Sequence, residues 1–130
     1  MIAPATVKTP KRLGERLMMK TRYMIRQYHQ LKKITKERNE IYAEDTDRFG
    51  WSVGWYETIR ETLERWREET PEDGKIVMEI FGIGNERIAR TAQAVSMRHH
   101  YSVSTVYQVR KSFIIEVTII AATRGLLNIK

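Results

Sequence analysis

Between Lys11 and about Ala43 the apolar residues Leu13, Leu17, Met24, Tyr28 and Leu31 recur at steps of three, four or seven, with Thr21 in the remaining seam position and Arg or Lys on the other faces. This stripe constrains the fold more than any other feature. It predicts one long helix, and a helix that is apolar along a single stripe gains too little from propensity to stand alone, so the stripe needs a partner surface. Self-association is the economical partner, and a homo-oligomer, dimer or higher, is expected. Residues 1–10 carry two of the three prolines and no apolar period, which reads as a mobile arm.

Helical spacing continues downstream. The segment "AEDTDRFGW" interrupts it with acidic residues and Gly50, and Ser52 is placed to cap a second helix. Trp55, Tyr56, Ile59, Leu63 and Trp66 line one face of that helix, while Glu57, Arg60, Glu61, Glu64, Arg65 and Arg67 form pairs three or four apart on the other. "TPED" then opens a third helix over 71–81, with Thr70 as cap, Pro71 at the first position and Asp73 able to reach back to the cap. "FGIGNE" turns the chain. Two further helices are predicted, about 86–99 and 103–123, closed by Arg124 and Gly125. The run "FIIEVTIIAA" is rich in β-branched residues and taken alone reads as a strand. The three-and-four spacing of Val106, Val109, Phe113, Val117, Ile120 and Ala121 favours a helix through it. The fold class is therefore all-α: an arm (1–10), a helical association module (11–69) and a C-terminal three-helix domain (70–130).

Charge is distributed by segment. Residues 1–40 hold eleven basic and three acidic side chains, residues 41–75 five and ten, and residues 76–130 seven and three. A chain basic at both ends, with a net charge of +7, favours a polyanionic partner. No apolar run is long enough to span a bilayer and the N-terminus has no signal-peptide core, so a cytoplasmic location without membrane partners is expected. The absence of cysteine and the scatter of three histidines leave no metal-ligand spacing, so neither metal nor cofactor is expected. Paired carboxylates such as Glu68 and Glu69 have no nucleophile, histidine or phosphate loop beside them, and no enzyme is read from the chain. The basic face of residues 11–38 is compatible with solvation, phosphate contact or, less favourably, a membrane surface. The three tryptophans fit a core or interface better than base stacking.

Residues 92–111, "AQAVSMRHHYSVSTVYQVRK", fit the helix-turn-helix pattern of two short helices, a small residue at their close approach and an outward face on the second. Val95 faces the core, Ser96 takes the close-approach position, Tyr101 plugs the turn, Ser102 caps the second helix, and Val106 and Val109 anchor it. Ser104, Thr105, Tyr107, Gln108, Arg110 and Lys111 are left outward or flanking. Gln pairs with adenine, Arg and Lys with guanine or phosphate, and the hydroxyls with phosphate oxygens. Gln93 and Arg98 on the first helix are placed for phosphate contact, and His99 and His100 fill the turn or touch phosphate. The alternative for this stretch is a capped surface helix with no ligand.

The segment "IARTAQAVSMRHHYSVSTVYQVRKSFI" with the ending "AATRGLL" resembles the C-terminal helix-turn-helix of the ArpU and RinA families of phage late-gene transcription regulators, itself similar to region four of bacterial sigma factors. His99 departs from the usual leucine, and the turn lacks glycine. The resemblance covers roughly the last 60 residues. It implies a double-stranded-DNA-binding activator in which Ser102, Ser104, Thr105, Tyr107, Gln108, Arg110 and Lys111 read DNA, with RNA polymerase as a possible further partner. A phage small terminase subunit, a helical module that docks RNA polymerase and a recombination accessory factor are the competing readings.

Overall fold

The computed structural model describes the backbone of residues 3–41, 46–84 and 88–127, and the side chains of 13–37, 50–84 and 88–127. Within these residues the chain forms six α-helices and no strand: α1 (Ala3–Arg26), α2 (Tyr28–Ile41), α3 (Thr46–Glu69), α4 (Pro71–Phe81), α5 (Ala92–His99) and α6 (Val103–Thr123). The β-branched run is helical throughout, since Val106, Phe113, Val117 and Ala121 are all buried on one side of α6 and a period-two strand would have split them between two faces.

The predicted single helix over 11–43 is two helices. At Gln27 the amide is shared between the carbonyls of Tyr23 (3.2 Å) and Met24 (3.1 Å), and the α-ladder resumes when Leu31 N–H bonds Gln27 C=O at 2.8 Å. Two packing directions explain the break, because α1 lies on α6 whereas α2 lies on α3. His29 pins the start of α2 through its Nε2, 3.1 Å from the Gly82 carbonyl. The backbone is already helical from Ala3, within the stretch expected to be an arm.

The apolar stripe is covered by the chain itself. Met24, Ile25 and Leu31 belong to one buried cluster with Trp55, Ile59 and Leu63 of α3, Ile76, Val77 and Phe81 of α4, Val95 of α5 and Phe113 of α6. Burial of each large apolar side chain contributes about 1.5–3 kcal/mol, so the cluster ties all six helices into one unit. Phe113 lies edge-on to Trp66, ring centroids 5.2 Å apart, and Glu116 accepts from both the Trp66 indole and the Arg65 guanidinium. Threonines serve in this core because each returns its hydroxyl to the carbonyl four residues back: Thr21 to Leu17 (3.0 Å), Thr58 to Gly54 (2.8 Å) and Thr62 to Thr58 (2.7 Å).

Two expected caps differ. Ser52 lies inside α3, whose helical backbone begins at Thr46, and caps nothing. Pro71 does open α4, but Thr70 turns its hydroxyl back to Trp66 C=O (3.1 Å) and makes no side-chain cap bond, while Asp73 accepts from the Tyr101 hydroxyl at 3.2 Å. The carboxylate is drawn across to the next helical unit instead of back to its own cap. Gly82 ends α4 in the left-handed region at φ 66°, where an added Cβ would lie 2.7 Å from the Ala89 nitrogen.

Candidate nucleic-acid interface

The segment 88–91 is extended and held against α4 by Arg90 N–H to Glu79 C=O at 2.9 Å. Helix α5 therefore starts at Ala92, later than the predicted 86, where the Thr91 hydroxyl accepts from Ala94 N–H at 3.1 Å. Thr91 is a cap that the apolar period does not reveal, although a threonine four residues before buried Val95 is the type of residue that serves there. Residues 86 and 87, which the prediction made helical, lie outside the described residues.

Between α5 and α6 the chain turns over residues 100–102. Val95 is fully buried and Ser96 donates its hydroxyl to Tyr101 C=O. His100 takes the left-handed conformation at φ 58° that glycine usually supplies, and its amide bonds Ser96 C=O. Ser102 caps α6 by accepting from Thr105 N–H at 3.1 Å, and its hydroxyl lies 2.8 Å from that of Thr105.

His99 does not fill the turn or face solvent. Its two ring nitrogens reach Glu72 and Glu79 on α4. Burial works against its charge, but the bonds to both carboxylates outweigh this and hold the imidazole above its usual range. Burial likewise opposes ionisation of Glu79, and the bonds from His99 and Arg98 override it and keep the carboxyl below its ordinary value. Arg98, expected to touch phosphate, is paired with Glu79, which also has Arg90 Nε at 3.5 Å. These groups line a cleft of about 550 Å³ between α4 and α5. Glu79 holds both Arg98 and His99, Glu72 shares His99, and the cluster clamps α5 to α4.

The nine residues singled out from the sequence thus divide. Ser102 and Thr105 spend their hydroxyls on the cap of α6, and Arg98 is committed to Glu79. Arg110 is half-buried, its guanidinium carbon 6.0 Å from the centre of the Phe81 ring. Gln93, Ser104, Tyr107, Gln108 and Lys111 remain exposed, and among the described residues their side chains have no hydrogen bond or ion pair. Ser104, Gln108 and Lys111 fall on one face of α6 at steps of four and three, and the same face continues into exposed Ile115 and Ile119.

Sequence reasoning missed what α1 adds beside this face. Thr118 Oγ1 lies 2.8 Å from Thr21 Oγ1, while Leu13 and Leu17 share a cleft with Leu126 and Leu127, so α1 runs antiparallel along α6. Arg22 and Arg26 follow Thr21 and are thereby carried toward the middle of α6 and Arg110. Burial first, and then their two charges, hold the guanidinium of Arg110 below its usual value. Their spacing of four marks one helix face, but only tertiary packing sets that face beside Arg110. No helix among the described residues is long and apolar enough to cross a membrane. Comparison of the chain with protein-family models, with curated proteins and with solved structures found no match.

Proposed function

We propose that this protein is a sequence-specific binder of double-stranded DNA that regulates transcription, with α5 and α6 acting as a helix-turn-helix and α6 as the helix that enters the major groove. The observation that carries this reading is the capped, outward N-terminal half of α6, on which Ser104, Tyr107, Gln108 and Lys111 stand without a hydrogen bond or ion pair among the described residues, over a buried anchor of Val106 and Val109. Unpartnered amide, hydroxyl and ammonium groups on a rigid helix are the donors and acceptors that base edges and phosphates recognise. The phage late-gene activators that the sequence resembles would use such a helix in this way.

Within this reading Gln93 and Lys111 contact phosphate and Gln108 contacts a base. Ile115 and Ile119, exposed further along the same face, favour a protein contact there, with a second copy of the chain or with RNA polymerase. The test is binding to native and random duplexes across a salt series, with the mass of the protein measured in the same buffer. Gln108→Ala is expected to cost about 1–3 kcal/mol on the preferred sequence and little on others. Lys111→Ala is expected to weaken all duplexes equally and to lower the salt slope by about 1. Salt-independent or absent binding by the parent protein would overturn the proposal.

A further inference from the structure

Three arginines come together where the end of α1 lies beside the middle of α6. Arg22 and Arg26 lie one turn apart on α1, and the antiparallel contact through Thr21 and Thr118 brings them toward Arg110, which is held over the Phe81 ring. Among the described residues none of the three has a carboxylate partner. That contrasts with Arg60, Arg65, Arg98 and Arg124, each of which has one. Gathering like charges without a counterion is unfavourable for the isolated fold, and a bound anion would reverse the sign of that term. The buried Thr21 and Thr118 hydroxyls and the ring under Arg110 fix the helices that carry the cluster, so the backbone positions of its members are set before any ligand arrives. Arginine rather than lysine suits a phosphodiester, whose paired oxygens accept two parallel N–H bonds.

We propose that Arg22, Arg26 and Arg110 form a clamp for the phosphodiester backbone of DNA, flanking the groove-reading face of α6, so that the N-terminal helix contributes to binding through its position on α6. The inference rests on the DNA-binding reading above. Arg110 serves here as a backbone contact, and its half-buried position keeps it off the exposed line of Ser104, Gln108 and Lys111.

The experiment measures affinity for a random 30-base-pair duplex (a length of about three turns of DNA) by fluorescence anisotropy from low to high salt, for the full chain and three double variants of confirmed helicity. Arg22→Gln with Arg26→Gln is expected to reduce the slope of log affinity against log salt by about 2 and to weaken binding roughly ten- to sixtyfold near 0.1 M salt. Arg22→Lys with Arg26→Lys is expected to keep most of the slope, since the charge stays. Lys32→Gln with Lys33→Gln removes the same net charge from exposed positions on α2 and should leave the slope within about half a unit of the parent. An unchanged slope in the Arg22/Arg26 glutamine variant, with the parent binding normally, overturns the clamp and leaves the DNA-binding reading standing. An equal loss in the Lys32/Lys33 variant also overturns it, because net charge alone would then explain the effect. Failure of the parent to bind any duplex overturns both proposals.

Discussion

At the residue scale, the same side-chain type has different work according to what faces it. Arg98 and Lys111 both stand on the helical pair and both suit phosphate, yet Arg98 is neutralised by Glu79 whereas Lys111 faces outward unpaired among the described residues. Arg98→Gln is therefore expected to change DNA affinity less than about threefold, a shift below 1 kcal/mol, and to lower the melting temperature by loosening α5. Anisotropy and thermal denaturation on the same sample check both halves; a tenfold loss of affinity with unchanged stability would return Arg98 to the interface. Gly82 shows the backbone counterpart. Its φ of 66° and the 2.7 Å approach of Ala89 nitrogen to a built Cβ make Gly82→Ala unfavourable on two grounds, and a loss of about 1–2 kcal/mol or more in denaturant unfolding is expected.

At the scale of elements, the placement of α5 depends on a titrating contact. The value for His99 is raised in the folded protein, so its contribution to stability is fully present below the unfolded value of 6.5 and is lost as pH rises through the folded value. Glu72 and Glu79 have the opposite sign: the hydrogen bond from His99 keeps Glu72 below 4.5, Glu79 is also lowered, and what they contribute is lost as pH falls through their folded values. The α4–α5 contact is thus firmest between about pH 5 and 6.5. The melting temperature of the parent is expected to decline from pH 6 to pH 9 relative to that of His99→Gln, which lacks the titrating group. Parallel curves for the two proteins would show that the contact does not contribute through His99 charge.

For the whole molecule, helices α4 to α6 are not covered without the helices before them. Phe113 packs on Trp66, Glu116 is satisfied by α3, and Thr118 meets Thr21 of α1. Arg124 reaches back to Glu61 at 2.6 Å and to the Thr58 hydroxyl at 2.9 Å. A fragment of residues 70–130 is accordingly expected to lose most of its cooperative unfolding transition and much of its helicity, as read by circular dichroism. In the full chain Phe113→Ala should cost about 3–5 kcal/mol. A fragment that melts as sharply as the parent would mean that the contacts across α1, α3 and α6 contribute little.

The helical class, the face of α3, the first position of α4, the cap at Ser102 and the turn at Tyr101 were all legible in the sequence. Each depends on neighbours within a few residues, where a 3.6-residue period, a proline or a serine leaves a local mark. The break at Gln27, the enclosure of the first stripe by α3 and α6, the diversion of Arg98 and His99 to α4 and the meeting of Arg22, Arg26 and Arg110 were decided by tertiary structure. A periodic stripe records that a face must be buried but not which surface buries it. Likewise a row of charges records its own spacing, while the carboxylate or arginine that meets it comes from a helix far along the chain.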